Sequence, residues 1–263
     1  MKKFTLFLAL ATTVTACFTG CSKSDNGNKV GVITYAVEAG SAGEEVAKEK
    51  KYNYNAVGSQ ADALMEVNSG TSDGAIIDLL MAGAMIGEGT SYPNLKYTTK
   101  LTEEEYGVGC RTNSDLASFI DEFFYETYKD GSMLETAKKY GVQETIFEQP
   151  ESKYEKSEDS DVEKIKKNGK LIVGITDFAP MDYKDENDEW IGFDADMAKK
   201  LGDKLGVKVE FVEIDWDAKI MELSSGNIDV VWNGMTLTDE VKSSMTCSNP
   251  YCKNAQVIVE KAK

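Results

Sequence analysis

Along most of this chain, short runs rich in β-branched and aliphatic residues alternate with amphipathic segments, and few architectures accept such a pattern. Strands are expected over residues 29–36, 56–58, 74–78, 96–99 and 106–110, with helices over 44–50, 60–69 and 79–86 between them. A second set follows, with helices over 114–129 and 133–140, a strand over 171–175, a helix over 194–205, a strand over 207–214, a helix over 218–225 and a strand over 229–232. Strand, helix and strand in succession pack as right-handed crossovers on a largely parallel sheet, so the fold class is α/β. Between the sets, residues 148–161 are polar, charged and without periodicity, which reads as a linker.

The front of the chain is of another kind. Lys2 and Lys3 precede an apolar run over residues 4–16, too short for a membrane anchor and suited to the hydrophobic core of a secretion signal. The run ends at Phe18-Thr19-Gly20-Cys21, which resembles a bacterial lipobox. That resemblance implies a signal peptide over 1–20, a lipid on Cys21 and a small, polar tether over 21–28. The domain is then extracytoplasmic and held at the bacterial cell membrane by its N-terminal lipid, each buried methylene adding about 0.8 kcal/mol. An ordinary signal peptide with a chance Gly-Cys is the alternative.

Composition removes several function classes. A formal charge of -16 argues against nucleic acid or an anionic lipid surface as the main partner. With 0 histidines there is no Ser-His-Asp triad, no Cys-His pair and no histidine-ligated zinc. Cys110, Cys247 and Cys252 show no CxxC spacing, so no metal and no cofactor are expected. A Cys247–Cys252 bridge and free thiols both remain open.

From Leu171 onward the chain carries Asp177-Phe178-Ala179-Pro180-Met181, Trp190-Ile191-Gly192-Phe193-Asp194, Gly226-Asn227-Ile228-Asp229, Gly234-Met235-Thr236-Leu237-Thr238 and Ser248-Asn249-Pro250-Tyr251. In this order and spacing they resemble the amino-acid-binding proteins of ABC importers, which have the type II periplasmic-binding-protein fold of two lobes joined by two crossing strands. The family's later half resembles residues 35–44 and 73–78, which here come first. The resemblance therefore implies a circular permutation. Lobe two would span residues 29–105, completed by 255–263; a hinge strand would span 106–111, and lobe one 112–254, with the linker at 148–161. Residues 255–260 resemble the first crossing strand and 106–111 the second.

The same resemblance implies the site. Asp78 ends an apolar strand, where a charge is costly unless it faces a cleft, and would pair with a ligand ammonium; capping the helix that starts at Leu79 is the other reading. Gly234 and Thr236 would hold the ligand's polar end. Ser41 and the Ala42 amide stand where a glycine-rich turn opens a helix, a place suited to a carboxylate or to an ordinary N-cap. Phe178 and Trp216 would sandwich the ligand side chain, and Glu38 would touch it.

One position departs from the family. Where it usually has an arginine for the ligand carboxylate, Val241 stands, and Lys242 lies about 100° further round a helix. Arg111, the sole arginine, reads as structural. The implied function is capture of a small amino acid or related zwitterion and delivery to an ABC importer permease, by a protein that is not an enzyme and works as a monomer. The alternatives are a cleft enzyme of the same fold using Asp or Glu chemistry, and a ligand sensor.

Overall fold

The computed structural model describes residues 32–262. The signal peptide, Cys21, the tether and the start of the first expected strand lie outside these residues. In chain order the first part comprises β1 (Thr34–Glu38), α1 (Ala42–Glu49), β2 (Asn53–Val57), α2 (Gln60–Ser69), β3 (Gly74–Asp78), α3 (Leu79–Met85) and β4 (Leu95–Lys100). Next come β5 (Glu104–Tyr106), β6 (Gly109–Cys110), α4 (Leu116–Lys129), α5 (Ser132–Lys139), α6 (Asp161–Asn168) and β7 (Lys170–Ile175). A short hairpin, β8 (Tyr183–Lys184) with β9 (Trp190–Ile191), precedes α7 (Phe193–Leu205), β10 (Lys208–Glu213), α8 (Lys219–Ser225) and β11 (Val230–Val231). The last elements are α9 (Asp239–Ser244), β12 (Thr246–Cys247), β13 (Cys252–Asn254) and β14 (Gln256–Lys261).

These strands form two five-stranded sheets, in the orders β2-β1-β3-β14-β4 and β10-β7-β11-β6-β12. In the first, β1 runs parallel to β2 and β3, while β14 lies antiparallel between β3 and β4. In the second, β7 runs parallel to β10 and β11, while β6 is antiparallel to β11 and β12. The central strands are apolar for a physical reason: helices cover both faces, so no residue of β3 reaches solvent, and its sequence GAIID is buried throughout. This is the two-lobed α/β architecture of a type II periplasmic-binding protein, as the resemblance implied.

The chain passes between the sheets twice. β5 and β13 pair antiparallel, Tyr106 opposite Cys252 and Asn254 opposite Glu104, and so form a two-stranded ladder between the lobes. These connections come a few residues earlier than the sequence suggested, because β14 is a full member of the first sheet and β6 of the second. The first strand also begins late, at Thr34: Val32 is 76% exposed and unpaired, and Glu38 becomes the strand's last residue rather than a loop residue.

The stretch read as a linker has little regular structure but is tied down. Tyr154 stacks edge-on against Phe119 and donates its hydroxyl to Asp115, and its N–H reaches Glu122. Its far end, Asp161, starts α6, which Ser160 caps by accepting from the Glu163 N–H. Asp161 also meets Arg111 at 3.2 Å, and the same guanidinium reaches Asp229 and the Ile228 carbonyl. The sole arginine is thus structural, as expected. Among the described residues, no helix is long and apolar enough to cross a membrane.

Because Arg111 joins α6, β6 and the start of β11 while staying about a quarter exposed, Arg111→Met is expected to cost about 2 kcal/mol of unfolding free energy by urea titration. It should leave any ligand affinity unchanged within twofold.

Candidate functional site

The carboxyl-terminal ends of the parallel strands in both sheets point toward one another, the place where open α/β sheets generally bind ligands. From the first sheet come Glu38 at the end of β1, the Gly40–Ala42 turn into α1, and Asp78 at the end of β3. From the second come Thr176 and Phe178 after β7, Trp216 after β10, and Asn233 to Thr236 after β11. All eight residues singled out in the sequence (Glu38, Ser41, Ala42, Asp78, Phe178, Trp216, Gly234 and Thr236) line one cavity there.

The cavity is nearly shut, with about 30 Å³ free for the centres of water molecules. Two contacts close it. Gly40, at φ +69°, lies so near the other lobe that a methyl group on it would stand 2.6 Å from the Asp217 Cα. Beside it, Lys219 Nζ donates to the Gly40 carbonyl at 2.7 Å and to the Trp216 carbonyl at 3.2 Å, with its charge 4.9 Å above the Trp216 ring. Lys219 was not foreseen; nothing in its sequence context separates it from a surface lysine, and only docking of the lobes buries it.

Asp78 is 4% exposed and makes no side-chain cap to α3, so the capping alternative falls away. Its carboxyl instead accepts from Tyr106 Oη at 2.7 Å and from the amides of Gln60 and Asn254. Burial and then the nearby Glu104 raise it to about 7, against the pull of those donors. Glu104 in turn gathers Thr236 Oγ1 at 3.1 Å, Asn254 Nδ2 at 3.2 Å and Gln256 Nε2 at 3.0 Å. The Thr236 hydroxyl is therefore already donated to a carboxylate of the crossing strand. Ser41 does what an N-cap does: its Oγ accepts from the Glu44 N–H at 3.2 Å and donates to the Glu38 carbonyl at 2.7 Å.

Glu38 is 4% exposed, and burial followed by repulsion from Asp78 pushes its carboxyl up to about 8. The far wall rests on a second acidic pair. Asp194 accepts from the Gly234 N–H at 2.6 Å and from Tyr251 Oη at 2.7 Å, while Asp182 accepts from Asn233 Nδ2 at 3.1 Å. Burial raises both, and Asp194 adds to the rise at Asp182.

Phe178 and Trp216 are both buried at the cavity, Phe178 edge-on to Tyr106 with ring centroids 6.4 Å apart. Gly234 is constrained from that side: a methyl group there would meet Phe178 Cε1 at 2.4 Å. Val241 is 3% exposed and packs with Trp216, Met235 and Met245, an apolar setting that offers no charge at this position. Lys242 lines a different groove, with Glu103 and Lys253. The described cysteines are free thiols, and Cys252 Sγ lies 3.1 Å from Thr145 Oγ1, which settles that alternative against a Cys247–Cys252 bridge.

Residues 171–263 match the family model of the bacterial extracellular solute-binding proteins, family 3. An arginine-binding extracellular protein, ArtP, of Bacillus subtilis is 39% identical over 93 residues, covering 35% of this chain and 36% of that protein. The L-cystine-binding protein TcyJ of Escherichia coli is 33% identical over 100 residues, covering 37% and 38%. A cyclohexadienyl dehydratase of Pseudomonas aeruginosa is 28% identical over 101 residues, covering 38% of each chain. The chain thus spans less than two-fifths of the length of these relatives.

A carboxyl whose folded pKa is raised binds its proton more tightly in the native state, so its contribution is complete below the unfolded value near 4.5 and is lost as pH climbs to about 8. The unfolding free energy should therefore fall between about pH 5 and pH 8. Glu38→Gln should remove up to about 1.4 kcal/mol per pH unit of that slope in denaturant titrations at successive pH values. Gly40→Ala should hold the lobes apart, visible as a larger radius of gyration by small-angle scattering.

Proposed function

We propose that the protein is an extracytoplasmic solute-binding lipoprotein that captures a small amino acid or related zwitterion between its lobes and presents it to an ABC importer permease. One observation carries this reading: eight residues from segments as distant as Glu38 and Thr236 line one enclosed cavity between two sheets. A binding role rather than a catalytic one accords with the binding proteins among its relatives.

In this reading the ladder of β5 and β13 is the hinge, and a ligand touching both lobes favours closure only as far as it prefers the closed state. A carboxylate has about four lone-pair sites, so Asp78, with three taken by Tyr106, Gln60 and Asn254, keeps one for an ammonium. The unpaired amides at the start of α1, around Ala42, face a carboxylate. Phe178 and Trp216 flank the side chain. The lipid on Cys21 tethers the domain beside the permease, and the protein acts as a monomer. The reading also includes exchanged halves: the segment matching the family, 171–263, follows β1 to β4 in the chain yet lends β14 to their sheet.

A second reading is favoured by one feature. Glu38 holds a proton near neutrality inside a closed cleft, the state a general acid needs, and a relative of similar coverage is a dehydratase. Conversion of a bound cyclohexadienyl compound, followed by absorbance and lost in Glu38→Gln, would replace the transport reading.

A thermal-shift screen of amino acids, their derivatives and amines tests the binding role, because a cleft ligand at a hundred times its dissociation constant adds about 2.7 kcal/mol of stability. At least one α-amino compound is expected to raise the melting temperature; none doing so counts against the cleft. Asp78→Asn should weaken that ligand at least tenfold by titration calorimetry, and unchanged affinity would remove Asp78 from the site.

A further inference from the structure

Acidic side chains outnumber basic ones along the cleft. Glu38, Glu45, Asp78 and Glu240 face it, against one base, Lys219. Two of these groups are already engaged. Lys219 spends its ammonium on the carbonyls of Gly40 and Trp216, and Asp78 is held by Tyr106, Gln60 and Asn254.

Glu38 is not engaged. Its carboxyl is almost completely buried, lines the cavity, and among the described residues accepts no hydrogen bond of ordinary geometry. Gln60 lowers the Glu38 pKa, but its N–H donates to the Asp78 carboxyl and its carbonyl accepts from the Asp78 N–H. A buried carboxyl without a donor is costly, and a positively charged donor is the partner that suits its ionised form.

We propose that the ligand carries net positive charge, with a cationic nitrogen seated on the Glu38 carboxylate between the Phe178 and Trp216 rings. This rests on the cleft being the ligand site and narrows the class from zwitterions in general to cationic amino acids and amines. Aromatic faces attract the same charge. A ligand with no donor at this point leaves the buried Glu38 carboxyl unpaired.

The protonation balance follows. Asp78 from β3 and Asp62 from α2 raise Glu38, while Lys219 from α8 and Gln60 from α2 lower it; Glu45 and Glu240 stand in the same wall. With Glu38 protonated up to about pH 8, an arriving cation displaces that proton to solvent. Affinity for the cation therefore rises with pH and levels off above about 8.

Titration calorimetry on the full chain at pH 6 and pH 8.5 tests this with pairs that differ in one charge: L-lysine against L-norleucine, and L-arginine against L-citrulline. Cadaverine, which is lysine without its carboxylate, is the further arm. At least one of lysine, arginine and cadaverine is expected to bind tenfold or more tightly than its neutral counterpart, norleucine serving for cadaverine, more strongly at pH 8.5 and with proton release. Glu38→Gln should erase the preference, and Glu38→Asp, retaining the charge, should keep part of it. Neutral members binding as tightly as charged ones would overturn the charge assignment while leaving the cleft a ligand site. No binding by any of the five would overturn the charge assignment, and a further lack of any shift across the wider thermal screen would overturn the cleft reading with it.

Discussion

Burying acidic groups at the junction of two lobes is the constraint on which the rest of this structure turns. Glu38 and Asp78 end neighbouring parallel strands, β1 and β3, where the sheet opens toward the other lobe, and neither can reach bulk solvent while the lobes are closed. The fold meets the demand unequally. Asp78 receives donors from β5, from α2 and from the segment leading into β14, so satisfying its carboxyl also pins the crossing strands to the first sheet. Glu38 lines the cleft without such a donor. An opening motion would return Glu38 to water, so its protonation and the lobe position are tied together.

The second lobe uses the same device behind its surface. Asp194 takes the Gly234 N–H and Tyr251 Oη, and Asp182 takes the Asn233 amide, which fixes the loop after β11 against a wall of aromatic packing. Burial raises both acids, and Asp194 adds to the rise at Asp182. Closure is then a contact between two prearranged surfaces, with Gly40 seated on Asp217 and Lys219 bridging to the Gly40 carbonyl. A lysine held by two carbonyls beside several acids makes a favourable but replaceable bond across the junction.

Much of this was legible in the residues. Apolar runs such as GAIID announce strands covered on both faces, and the amphipathic run over 60–69 announces α2, because those signals are local; α6 (Asp161–Asn168) was not read from the sequence. The eight residues were singled out through the resemblance, and they line one cavity because loop ends at the same edge of two facing sheets meet. Other features were not legible. The first strand lies a few residues later than its β-rich run suggests, since pairing with β2 and β3, not propensity, sets its ends. The polar segment before α6 resembles a free linker, yet Tyr154 anchors it through partners on α4 and just before it. Gln60 and Asn254 carry no signal at all, because a buried amide acquires its role only from the carboxyl it happens to face.

Sequence by itself determined the α/β class and the absence of histidine chemistry, because each depends on residue type or local periodicity along the chain, and the expectation of two lobes came from motifs that resemble a family. The tertiary structure decided which charges are answered and which are not. Lys219 is consumed by backbone carbonyls, Arg111 by Asp161 and Asp229, and Glu38 is left unanswered. Charge compensation is settled over a few ångströms in space between groups that are distant along the chain, so no linear pattern could contain it.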